Sequence, residues 1–257
     1  PASAAKAAKI FSKSNFQEVN INCGCPSNKV VNGNFGACLM KEPKKVGEMI
    51  EAIKDNCDIP VTVKTRIGLD NYDTDQFLEE FISELDEKKV STVIIHARIA
   101  ILKGLSPHEN RTIPPLNYQR VKYIKKTFKH MRIIVNGGII NLNDAKNFLK
   151  DFDGVMIGRA AWDNPWMFSN AENTFFDKNI NVSRYEIINN YLEYANKYLS
   201  LGHTQRRLIR PLFNMFYGVQ GSKLWKQQLN DIANNKIDIN SISNLAYQIE
   251  DMILDAA

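Results

Sequence analysis

From residue 18 to residue 159 the chain alternates strand-like and helix-like segments without a break, and few folds accept that order. EVNINC (18–23) alternates apolar and polar residues with the period of a strand. PKKVGEMIEAIKDN (43–56) then sets Val46, Met49, Ile50 and Ile53 at helical spacing behind Pro43. IPVTVKTRI (59–67), STVIIHAR (91–98), MRIIVNGGI (131–139) and DGVMIGR (153–159) read as further strands. Between them, TDQFLEEFISELDEKK (74–89), PLNYQRVKYIKKTFK (115–129) and NLNDAKNFLKDF (141–152) read as helices, the last opened by Asn141 or Asn143. Five strands separated by four helices predict a parallel sheet covered by helices, the α/β class. After about residue 172 the strand pattern stops, and four helices are predicted over 183–202, 204–218, 222–235 and 241–254. The expected division is therefore an α/β domain over 1–171 and a small all-α domain over 172–257.

Period-two alternation sorts each strand into two faces. Asn20 and Asn22 share one; Thr62, Lys64 and Arg66 share one; His96 lies with Ile94 and Arg98, and Asn136 with Ile134. In each strand the polar residues gather at the carboxyl end, where parallel α/β folds carry their sites. Asn22, Lys64, Arg66, His96 and Asn136 are thus expected at one mouth. Each alone has a bland reading: a snorkelling lysine, a structural histidine, a turn-forming asparagine. Five at equivalent strand ends argue for a site. Two glycine-bearing ends, VNGGI with Gly137 and Gly138 and MIGRA with Gly158, present bare backbone N–H groups just before helices, and Arg159 adds a charge. That pattern points to a phosphorylated cofactor.

Three of the four cysteines fall in NINCGCPSNKVVNGNFGACLM. One residue between Cys23 and Cys25 is less than zinc-binding loops use, and the four histidines are scattered, so no metal is expected. A disulfide is not expected in a chain long enough to build its own core. Cys23 falls on the Val19/Ile21 face and reads as a small buried apolar residue, and Cys38 as another. Cys25 follows Gly24 past the end of the strand, where a thiol can serve as an acid or a nucleophile. The net charge of +5 permits a polyanionic partner without requiring one. No run of about 18 or more apolar residues occurs, so no membrane span is expected, and four cysteines in this length suit a cytoplasmic protein.

Taken in order, NINCGCPSNKV, NGNFGACLM, VTVKTRIG, IIHAR, LSPHENR, IPPLNY, NGGI and DGVMIGR resemble the tRNA-dihydrouridine synthases, closest to their 20/20a (DusA) type. The likeness runs from Pro1 into the C-terminal helices. It implies a (β/α)8 TIM barrel followed by a helical tRNA-binding domain. It also implies an enzyme that holds FMN, takes electrons from NADPH and reduces a D-loop uridine of tRNA to 5,6-dihydrouridine. In that family pattern Cys25 is the general acid for carbon 5, after hydride reaches carbon 6 from the reduced flavin. Lys64, His96, Asn136, Gly137, Gly138, Gly158 and Arg159 would hold FMN, and Asn22 and Arg66 would face the substrate base or the flavin. His108 and Arg111 in LSPHENR, with Lys223 and Lys226 in SKLWKQQL, would meet tRNA. A monomer is expected. The family pattern also carries a Pro-Met first strand and a Gln-bearing third strand ahead of the matching region. Neither is found here, and the chain opens on Pro1. The expectation is a barrel without its first three strands, an N-terminally truncated form that is unstable or inactive alone. A flavin barrel acting on a free pyrimidine, a tRNA binder without catalysis, and a phosphate-binding isomerase or aldolase share parts of the pattern. The basic helical region argues against the first, and the placement of Cys25 beside Asn22 against the last.

Overall fold

The computed structural model of the chain describes residues 1–27, 30 and 32–255; Asn28, Lys29 and Val31 of the cysteine-rich motif lie outside the described residues. The chain divides into two compact units, one built from 1–139 and 147–157, the other from 140–146 and from Gly158 onward.

The first unit is organised on a sheet of five strands: β1 (Val19–Cys23), β2 (Val61–Arg66), β3 (Thr92–His96), β4 (Arg132–Asn136) and β5 (Gly154–Met156). Every adjacent pair is parallel and the spatial order follows the chain, β1-β2-β3-β4-β5, the sequential winding of a β/α barrel. The α/β class expected from the alternation is therefore the class observed. Helices α1 (Ala2–Phe11), α2 (Pro43–Lys54), α3 (Asp75–Glu87) and α4 (Tyr118–Thr127) accompany the strands. α2 starts at Pro43, which needs no N–H partner there, and buries Val46, Ile50 and Ile53. α3 is capped by Thr74, whose side chain accepts the Phe77 N–H, and buries Leu78, Phe81, Ile82 and Leu85. α4 is capped in the same way by Asn117 through Arg120 N.

Several elements end earlier than their sequence pattern, among them β4, β5 and the helix that follows β4. β4 stops at Asn136 because Gly137 and Gly138 take positive φ values of 107° and 73°, outside extended geometry. β5 keeps only three residues. α5 (Leu142–Phe148) is shorter than 141–152; Asn141 is the residue that caps it, accepting the Asp144 N–H at 2.8 Å.

The second unit continues with α6 (Arg159–Asp163), α7 (Ala171–Phe176), α8 (Arg184–Ser200), α9 (Gln205–Leu208), α10 (Ser222–Ala233) and α11 (Ile242–Leu254). The single helix expected over 204–218 is not found. α9 ends at Leu208, a 3-10 turn covers Arg210–Leu212, and turns follow. Pro211 is the reason: it has no N–H to donate, and its ring would strike the carbonyl one turn back. Ile188, Leu192, Trp225, Leu229, Ile232, Ile242 and Ile249 form a core within this unit. Glu250 on α11 closes the start of α8, accepting from Ser183 Oγ at 2.6 Å, Arg184 N at 2.7 Å and Tyr185 N at 3.1 Å. Among the described residues no helix is long and apolar enough to cross a membrane.

Trp225 anchors that core: it is fully buried, donates Nε1–H to Leu212 O at 2.7 Å and meets the Phe216 ring edge-on at 4.8 Å. Trp225→Ala is expected to cost about 3–5 kcal/mol, read as a lower denaturation midpoint for the C-terminal helices; an unchanged midpoint would remove Trp225 from the role of anchor.

Candidate active site

Parallel register aligns the polar strand ends. Asn22 pairs with Lys64, and Lys64 with Ile94; one step further along, Arg66 pairs with His96 and His96 with Asn136. Residues in register in a parallel sheet point to the same face. The five residues expected at one mouth are therefore brought together in two adjacent rows on one face. Arg66, His96 and Asn136 are buried, Lys64 is half-buried and Asn22 is exposed. Asn136 Nδ2 donates to Met156 O at 2.7 Å, tying the end of β4 to β5.

Cys25 sits two residues past the end of β1, on a turn made by Asn22. The Asn22 Oδ1 accepts both Gly24 N at 3.0 Å and Cys25 N at 3.1 Å. The Cys25 carbonyl accepts Ala37 N at 3.0 Å, and its thiol donates to Ser27 Oγ at 3.4 Å. Gly36, at φ 58°, passes so close that a Cβ there would lie 2.5 Å from the Cys25 carbonyl oxygen. Cys23, two residues earlier, is on the opposite face and fully buried, and that burial pushes its thiol up to about 12. Cys38 is half-buried and Cys57 buried; all four are free thiols. Only Cys25 joins a partly accessible thiol to the polar face.

Charge concentrates beside that thiol. Burial, and after it the neighbouring Arg66 charge, lower Lys64 to about 8, while Cys25 pulls the other way. Arg66 is likewise lowered to about 10, first by burial and then by Arg111 and Arg98, with Cys25 opposing. Arg66 Nε donates to Gly24 O at 3.0 Å, and its Nη1 to Ile99 O at 2.9 Å and Asn110 O at 2.7 Å. The family resemblance placed Arg66 before the base or flavin; its Nε and Nη1 are engaged with the main chain of two loops. Asn22, placed likewise, uses its side-chain oxygen to build the Cys25 turn.

At the end of β4, Gly137 and Gly138 are required by space as well as by φ. A Cβ on Gly137 would come within 3.1 Å of His96 Nε2, and one on Gly138 within 2.7 Å of the Tyr118 hydroxyl. That hydroxyl donates to Gly137 O at 2.7 Å. Gly158 and Arg159 belong to the second unit, where exposed Gly158 immediately precedes α6. His108 and Arg111 are exposed on a 3-10 turn spanning Glu109–Arg111. Lys223 and Lys226 lie one turn apart on α10, the first exposed and the second half-buried. Among the described residues no three His, Cys, Asp or Glu side chains gather as metal ligands. Two contributors escaped the sequence reading, Asn110 and Tyr118. Both act through main-chain carbonyls, and the one signal was an asparagine inside a Gly/Ser/Pro loop.

Known proteins share much of this sequence. Residues 1–250 match the family described as Dihydrouridine synthase (Dus). A tRNA-dihydrouridine(20/20a) synthase of Shewanella oneidensis is 42% identical over 249 residues, covering 96% of this chain and 74% of that protein. Those of Vibrio cholerae and Escherichia coli K12 are 42% and 39% identical over 235 and 254 residues, covering 91% and 98% of this chain and 72% and 74% of theirs. The chain thus spans about three quarters of the length of these relatives.

Lys64 yields a pH prediction. Folded, it holds its proton with a pKa of about 8 against an ordinary 10.5. Between those values the unfolded chain binds more protons, so this residue makes stability rise with pH across that window. The denaturation midpoint of the native chain, taken relative to that of Lys64→Met at each pH, should climb through the window, a comparison that cancels the opposing titration of Cys23. Equal slopes would show that Lys64 is not held as a strained cation.

Proposed function

Because this chain belongs to the dihydrouridine synthase family, we propose that it reduces D-loop uridine of tRNA, at the 20/20a positions, to 5,6-dihydrouridine. The observation that carries the reading is the Cys25 thiol, held by the Asn22 turn at the rim of a face lined by Lys64, Arg66, His96 and Asn136. Reducing the uracil double bond requires a hydride at carbon 6 and a proton at carbon 5. FMN, reduced in turn by NADPH, supplies the hydride when bound. The donor set fits that group: Lys64 and His96 offer N–H donors toward an acceptor-rich ring edge, and Asn136, Gly137 and Gly138 form the adjoining rim. Gly158 and Arg159 are assigned to its phosphate, as backbone amide and cation.

Cys25 gives its proton to carbon 5, and the thiolate left behind is reprotonated from solvent. A thiol suits the step because it releases a proton near neutral pH. Lys64 and Arg66 are the cations electrostatically coupled to Cys25. Asn22 and Arg66 border the base, and both also fix the turn that carries the acid. The uridine must leave its stack to reach this face, at a cost of a few kcal/mol. His108, Arg111, Lys223 and Lys226 are assigned to phosphate contacts that offset it, with residues 1–171 as the catalytic part and 172–257 as the tRNA-binding part.

The test is mass-spectrometric detection of dihydrouridine in unmodified tRNA incubated with the chain, FMN and NADPH. Product in the D-loop supports the reading; product from free uridine and none from tRNA overturns the substrate. Cys25→Ala should lower the rate by about 10²–10⁴-fold while tRNA binding persists, and a full rate in that variant would remove Cys25 as the acid. Lys223→Ala should weaken tRNA binding and reduce the slope of log K against log salt by about one, and an unchanged slope would leave Lys223 a solvated charge.

A further inference from the structure

Asn110 has no role in the chemistry above, yet it is completely buried within an otherwise exposed turn. Its side chain is fully used. Oδ1 accepts Ile101 N at 2.7 Å, and Nδ2 donates to Ile101 O at 2.8 Å, Ser106 O at 3.2 Å and Leu105 O at 3.3 Å. These bonds cinch residues 101–110 into a closed loop and leave the Asn110 main-chain carbonyl pointing at Arg66, which donates to it at 2.7 Å. From the same guanidinium, Nε reaches back to the Gly24 carbonyl, in the residue that immediately precedes Cys25. β2, which carries Arg66, lies between β1 and β3, so a fork at its end can reach the loops that follow both neighbours.

We propose that Asn110 is a positioning residue: by closing the loop after β3 it presents the carbonyl that orients Arg66, and Arg66 in turn fixes the Gly24–Cys25 turn and holds its own charge beside the thiol. The consequence for catalysis rests on the dihydrouridine synthase reading; the latch itself does not. Mere loop closure would need the four side-chain bonds and nothing more. The carbonyl aimed at a buried guanidinium, and the shared use of that guanidinium by the cysteine turn, are what the latch explains. The mutual attraction between Arg66 and Cys25 is consistent with it. His108 and Arg111 flank Asn110, so under that reading the turn that meets tRNA is hydrogen-bonded through one guanidinium to the turn that holds the acid. Lysine cannot replace the fork, since its point charge lacks the planar donors that serve three carbonyls at once.

The experiment measures iodoacetamide labelling of each cysteine by peptide mass spectrometry, near neutral pH, in the native chain, Asn110→Ala, Arg66→Lys and the double variant, without tRNA or flavin. A thiol reacts as its thiolate. Loss of the fixed guanidinium should therefore slow Cys25 labelling by about fivefold or more in either single variant, with Cys23, Cys38 and Cys57 unchanged and the double variant no slower than the singles. Cys25 labelling slowed by less than about twofold, or all four cysteines changing together as in a loosened fold, would overturn the proposal. In tRNA reduction, the expected companion is a fall in kcat for Asn110→Ala with tRNA affinity within about twofold; lost affinity at unchanged kcat would overturn the positioning role. Because the labelling uses no substrate, a failed latch and a failed functional reading remain distinguishable.

Discussion

The guanidinium of Arg66 is buried at the end of β2, where an uncompensated charge would cost several kcal/mol. Three main-chain carbonyls offset that cost, from Gly24, Ile99 and Asn110. Neither loop can shift without leaving the charge or a carbonyl unmet. The turn bearing Cys25 and the turn bearing His108 and Arg111 are therefore held to one frame, and the frame is the parallel register of the sheet. Arg66 can stand beside His96, and His96 beside Asn136, because the strands start in step and end in step.

That arrangement also explains the electrostatics. Arg66 repels Lys64, and Arg111 and Arg98 repel Arg66, so like charge adds to burial in lowering both Lys64 and Arg66. A concentration of like charge at a strand-end face is unfavourable in the isolated fold and becomes favourable when an anion arrives. A flavin phosphate, a thiolate and a tRNA backbone are all anionic, so the proposed chemistry and the charge pattern are consistent.

The second unit solves its own burial problem separately. Arg184 is its buried charge: its guanidinium stacks 3.9 Å from the Trp166 ring centre and its Nε donates to Met215 O at 3.0 Å. Glu250 supplies the acceptors that the first turn of α8 lacks. With those needs met inside the unit, the lysines of α10 are left at the surface.

Much of this was legible in the one-dimensional pattern because period and position carry it. Alternation of strand and helix dictated the α/β class, and period two put Lys64 and Arg66 on one face and Cys23 on the other. The spacing of GCP after the strand singled out Cys25, and the order of the motifs pointed to the family. Helix 204–218 was misread because its apolar spacing was weighed without the cost of Pro211 in its interior. Asn110 and the true partners of Arg66 were beyond sequence reasoning for a different reason. Their bonds span 42 and 44 residues and end on backbone carbonyls, which every residue possesses and which no residue type advertises. The chain by itself thus determined which face each strand presents and which thiol reaches the rim. Only the folded structure decided which loops share the buried charge, because that depends on the distance between segments remote in the chain.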